Sequence, residues 1–184
     1  MRHRWAVAAA LAGAVVSFVL LPWPAAAFAA MLAALAVYVA AVDLDRFIIP
    51  DAANVAIFAA GLALVVTEGW RAGPLTDLEY ALLRTLVAGG FMWTLRFVYA
   101  RATGIEGLGL GDVKLAAAGA PFLAWDTLPL ALALAAIACA LALSGRALVR
   151  GEAIDRSREL PFGAFLAPAI WVVFVLDRLG WFLV

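Results

Sequence analysis

Two aspartates occupy positions where chemistry is the readiest explanation for a charge. Asp43 follows an uncharged run from Trp5 to Val42 and opens the segment Asp43-Leu-Asp-Arg-Phe-Ile-Ile-Pro-Asp51. Asp112 closes a glycine-rich segment, Gly104-Ile-Glu-Gly-Leu-Gly-Leu-Gly-Asp-Val-Lys114, immediately before another apolar stretch. Carboxylates at the edge of hydrocarbon are costly and therefore informative. Brought together, two of them cannot both ionise easily, so the pair holds one shared proton over an intermediate pH range and titrates as a unit. The ionised partner can then take a proton from an attacking water while the protonated one hydrogen-bonds to a peptide carbonyl, which is aspartic protease chemistry. Gly107, Gly109 and Gly111 permit unusual backbone conformations and close approach of another chain to Asp112. A phosphate cradle is the rival reading of such a loop, but the Gly-Lys-Ser/Thr ending and the βαβ setting are missing.

The elements that must position these residues follow from composition. Apolar residues make up 67% of the 184, and charged ones 14%, 13 of each sign. A soluble chain carries about 25% charged residues, so a soluble domain and a disordered chain are both excluded, and a lipid bilayer is the expected solvent. Zero net charge gives no basic footprint for nucleic acid. The one cysteine, Cys139, excludes an intramolecular disulfide framework, and His3 has no partner in sequence, so no metal and no cofactor are expected.

As a single helix, Trp5 to Val42 would reach roughly 57 Å, nearly two hydrocarbon thicknesses. Pro22 and Pro24 flank Trp23 in its middle, so the run reads as a hairpin of two spans, 5–21 and 25–42. Arg2-His3-Arg4 and Ala25-Ala26-Ala27 also resemble a processed leader, but the apolar stretch exceeds the usual ~7–15 residues and continues afterwards. Further apolar runs cover 52–70, 78–99, 113–125, 127–148 and 162–183. Only 113–125 is short enough to be re-entrant. The positive-inside rule favours its crossing, because Arg146, Arg150, Arg156 and Arg158 then join Arg2, Arg4, Arg46, Arg96, Arg101 and Lys114 on one side. Arg71, Arg84 and Arg178 are left on the other. The expectation is an all-α polytopic membrane bundle of about seven (six to seven) transmembrane helices. It forms one membrane-embedded domain over 1–184, with no separate soluble domain, the N-terminus cytoplasmic and both aspartates at the cytoplasmic face.

With those residues placed, a family resemblance emerges. Asp43 followed after six residues by Pro50 and Asp51 resembles the first motif of the type IV prepilin peptidases. Glu106-Gly-Leu-Gly-Leu-Gly-Asp-Val-Lys-Leu115 is similar to their second, the glycine-x-glycine-aspartate motif, and Leu160-Pro-Phe-Gly-Ala-Phe-Leu166 to a third segment that opens the last helix. The resemblance implies that Asp43 and Asp112 are the catalytic pair. Pro50, Asp51, Glu106, Gly109, Gly111, Lys114, Pro161, Phe162 and Gly163 are then supporting motif residues. It implies substrates as well: prepilins or pseudopilins, with a basic leader in the cytoplasm and a hydrophobic helix in the bacterial inner membrane. The long bacterial form also methylates the new N-terminus through a cysteine-bearing N-terminal region. Its absence here leads to the expectation of a short form with peptidase activity alone. Ala164 stands where many relatives have proline, a departure that leaves the catalytic assignment intact.

The supporting residues admit plainer roles. Asp51 is expected to cap the following helix, and Asp45 to be a solvated neighbour. Glu106 either bonds within the glycine loop or faces substrate. Lys114 either stabilises the Asp112 anion or anchors its helix at the interface. Arg84 is expected to snorkel toward the outer interface and Cys139 to be a small packed residue. The rival functions are a related intramembrane aspartic protease with another substrate and a small proton-coupled transporter. A transporter would place its acids near the bilayer midplane, not at one edge.

Overall fold

The computed structural model describes residues 4–69, 74–104, 107–150 and 160–182. Among them the chain forms seven α-helices, α1 (Arg4–Leu20), α2 (Ala25–Arg46), α3 (Asp51–Gly69), α4 (Pro74–Thr103), α5 (Leu110–Gly119), α6 (Thr127–Arg150) and α7 (Gly163–Arg178), with a short 3-10 helix, Ala120–Phe122, after α5. Four of these, α2, α3, α4 and α6, are long and apolar enough to cross a hydrocarbon core. The chain is a multi-pass membrane protein built as a helical bundle. The expected boundaries agree with the observed ones to within a few residues, and Pro22 and Pro24 separate α1 from α2 as expected.

Each helix that matters for function carries a narrow buried stripe at helical spacing. On α2 it runs through Ala25, Ala29, Leu32, Ala36 and Val39, and the next position on the same face is Asp43. On α5 the stripe is Asp112, Leu115, Ala116 and Gly119, and on α7 it is Gly163, Leu166, Ala167, Ile170 and Phe174. Alanine and glycine along these faces let the backbones approach closely. Gly61 of α3 is an example: a Cβ there would stand 2.8 Å from Pro121 Cβ and 3.1 Å from the Phe122 ring. Trp171 of α7 donates its Nε1–H to Ser17 Oγ of α1 at 3.3 Å, so this tryptophan ties two helices together.

The short fifth segment crosses the bundle by a mixed route. Its helix has 10 residues, or about 15 Å at 1.5 Å per residue, half a hydrocarbon thickness. The 3-10 turn and an extended stretch carry the chain onward, and Pro121 to Trp125 line a cavity with Glu68, Gly69 and Arg178, at the end of the bundle away from Asp43 and Asp112. Thr127 then opens α6, its Oγ1 accepting the Ala124 N–H at 2.9 Å. Arg84 lines the same far cavity with its Nε buried and without a hydrogen-bond partner, while Arg178 and Glu68 form two hydrogen bonds of 2.7 Å.

Candidate active site

Asp43 and Asp112 line one cavity of about 310 Å3, reached from α2 and α5 respectively. Both residues are almost fully buried, 4% and 6% exposed, a degree that carboxylates tolerate only with partners. The partners are backbone N–H groups. Asp43 Oδ2 accepts the Ala164 N–H at 2.8 Å, across 121 residues of sequence. Asp112 Oδ2 accepts the Gly109 N–H at 3.1 Å, as the third helical residue does when it reaches back to the residue capping its own helix. The Gly163 N–H interacts with both carboxyl groups. The first turn of α7 therefore stands over the pair, and its positive dipole end faces the two acids.

Local sequence explains how the two acids arrive there. Phe47 ends α2 in the left-handed region, φ 55°, and sends its N–H back to the Asp43 carbonyl at 2.9 Å. Pro50 starts α3, its carbonyl accepting the Ala53 and Asn54 N–H groups. The expected cap by Asp51 is therefore corrected: Asp51 already lies inside the helix, and Pro50 supplies the capping carbonyl. Between Phe47 and Pro50, Ile49 wedges against both site glycines. A Cβ on Gly111 would stand 3.1 Å from Ile49 Cβ, and one on Gly163 would run into Ile49 Cδ1 and lie 3.1 Å from Asp43 Oδ2. The glycines thus act through close approach. Gly109 has an ordinary extended conformation, φ −71°, and among the described residues of this loop only Gly104, φ 71°, uses the region that favours glycine.

The glycine loop is held by α4. Arg96 Nη1 donates to the Leu108 carbonyl at 2.7 Å, and Gly107 lies against the Tyr99 ring so closely that a Cβ would collide with it. Neither Arg96 nor Tyr99 was singled out by spacing. The signal for Arg96 was a charge set in the otherwise uncharged run between Arg84 and Arg101 of a long apolar helix. Lys114 points away from Asp112 and pairs with Asp51, Nζ to Oδ1 at 2.7 Å, at an exposed rim. Pro161 and Phe162 lead into α7, with the Pro161 carbonyl also accepting the Ala164 N–H at 3.2 Å. Glu106 lies outside the described residues, as does the 151–159 stretch that contains Arg156 and Arg158.

The two buried carboxyls share one cavity, so the charge of either raises the cost of ionising the other. Two carboxyls so placed beside a small cavity can hold a single shared proton, an arrangement able to activate a water against a carbonyl.

The profile of the type IV leader peptidase family matches residues 30–144, a stretch that contains both aspartates. The "Prepilin leader peptidase/N-methyltransferase" of Aeromonas salmonicida is 32% identical over 163 residues, covering 89% of this chain and 54% of the relative. Proteins of the same name from Aeromonas hydrophila and Burkholderia pseudomallei are 31% and 33% identical over 71% and 69% of this chain, and 43% and 39% of their own lengths. This chain spans about half the length of the curated relatives it matches. No solved structure matches it.

Proposed function

The chain belongs to the type IV leader peptidase family, and on that premise we propose that it is an aspartic endopeptidase acting at the cytoplasmic face of the bacterial inner membrane. It removes the basic leader from type IV prepilins or pseudopilins, Flp-type pilins among them. The observation that carries this reading is the convergence of Asp43 and Asp112 in one cavity under a shared N–H donor, Gly163.

The reaction needs one ionised and one protonated carboxyl. The ionised group takes a proton from a water as its oxygen attacks the peptide carbon, and the protonated group donates to the carbonyl oxygen. Collapse of the tetrahedral adduct breaks the C–N bond, and the leaving nitrogen takes up a proton from the pair, which returns to its single-proton state. Burial keeps the two groups coupled. Exposed Asp45 places a carboxylate on the side from which a basic leader would approach, while the Asp51 charge is matched by Lys114.

The test is to co-express a tagged prepilin with the wild-type chain and with Asp43→Ala or Asp112→Ala. Each variant is expected to leave the prepilin at its full precursor size. Normal processing by either variant, present in the membrane at wild-type level, would sink the assignment.

A further inference from the structure

The peptide unit between Leu108 and Gly109 is held at both ends. Its carbonyl accepts Nη1 of Arg96 from α4 at 2.7 Å, and its N–H donates to Asp112 Oδ2 at 3.1 Å. A peptide unit is planar and rigid, so a grip on its oxygen also fixes the direction of its N–H. The neighbouring residues make that grip matter. In a full capping box the side chain of the capping residue bonds the third helical residue in return, but Gly109 has no side chain, so only the Asp112 half of the exchange exists. Glycine also offers little steric resistance to rotation of the peptide before it. One turn further along α4, Tyr99 lies against Gly107 and braces the same loop, while Arg96 itself lines the cavity that holds both acids.

We propose that Arg96 is a positioning residue that acts on Asp112 through this one peptide: its guanidinium holds the Leu108 carbonyl, and the far end of the same unit holds the carboxyl in place for the reaction. The inference rests on the peptidase reading above and deepens it by adding α4 to the elements that set the acids. A cationic donor on the carbonyl also polarises the peptide and strengthens its N–H as a donor to Asp112. Arg96 is assigned no contact with the scissile bond, so its loss costs turnover and leaves substrate binding intact.

The experiment uses the full chain in lipid nanodiscs with a prepilin substrate, and measures kcat and KM separately. Arg96→Met is expected to lower kcat roughly 10- to 100-fold, the size of a lost hydrogen bond to a charged group, with KM unchanged. Arg96→Lys keeps a charged donor and should recover most of that loss. Arg101→Met removes a charge from the last turn of the same helix and should retain wild-type kcat. Wild-type kcat in Arg96→Met would overturn the proposal, whether or not KM rises, and so would a lysine variant no better than methionine or an equal loss in Arg101→Met. Replacing the Leu108–Gly109 peptide by an ester tests the route itself, since it deletes the N–H and weakens the carbonyl as an acceptor while every side chain stays in place. The ester is expected to match the Arg96→Met loss, and the two changes together to cost no more than either alone. Additive losses would overturn the proposal, and wild-type kcat in the ester would do so even if Arg96→Met does not fold. The two levels of the account separate cleanly, because cleavage by Asp112→Ala overturns the peptidase reading, whereas an unaffected Arg96→Met overturns only this assignment.

Discussion

Asp43 and Asp112 are buried in one cavity, so ionising one raises the cost of ionising the other. The pair therefore gives up its shared proton as pH rises, and the acid half of the proposed mechanism goes with it. Peptidase activity should decline on the alkaline side, and a kcat profile flat from about pH 6 to 9 would contradict this assignment. Gly163 offers a second test at the same scale. In Gly163→Ala the new methyl would meet Ile49 and lie 3.1 Å from Asp43 Oδ2, so activity should fall at least about tenfold while the protein still inserts and folds, as read by cleavage rate and thermal unfolding. Much of the candidate site was legible at this level. Asp43, Asp112 and the flanking glycines follow from residue type and spacing. The Ala164 N–H that Asp43 accepts was not, because a backbone N–H leaves no mark on the side-chain pattern. Arg96 was counted only as a cytoplasmic charge, since its contact with the Leu108 carbonyl depends on where the loop folds back.

The helices convert local spacing into a common end point. Asp43 occupies the next turn of the stripe that buries Leu32, Ala36 and Val39, and Asp112 begins the stripe that buries Leu115 and Gly119, so the packing that holds the bundle also sets the acids. Small residues make this possible, and they can be tested in pairs. Gly61→Ala places a Cβ 2.8 Å from Pro121 and should destabilise by about 1–3 kcal/mol. Gly90→Ala of α4 meets nothing within 4 Å and should gain up to about 1 kcal/mol from helix propensity alone. Thermal unfolding of the purified variants checks both signs, and a Gly61→Ala at least as stable as Gly90→Ala would mean the α3 contact is not tight. Apolar run lengths anticipated every described helix. They did not reveal how the fifth segment reaches the far end of the bundle, because a 3-10 turn around Pro121 and an extended stretch carry no amphipathic period.

For the whole molecule, few charges turn out to mean charges at the two ends. The rim with Asp51 and Lys114 lies at the end that holds Asp43 and Asp112, and the Glu68–Arg178 pair lies at the other. On the proposed orientation, which follows the positive-inside bias, the first faces the cytoplasm. In a Cys139→Ala background, Asp51→Cys should resist a membrane-impermeant maleimide added to spheroplasts and react after lysis, whereas Tyr80→Cys should react in intact spheroplasts. The opposite pattern would invert the orientation. Composition and motif order were readable before the fold, but the sharing of Gly163 by two acids 69 positions apart in sequence required the third element, α7, to be in place. The central claim is that these two carboxyls perform the cut. Its most direct measurement is cleavage of a synthetic prepilin by the purified chain in nanodiscs, with the products mapped by mass spectrometry. Wild type should release the leader at a single bond, while Asp43→Asn and Asp112→Asn, each unfolding at the wild-type temperature, should release none. Leader release by either folded variant at the wild-type rate would contradict the account.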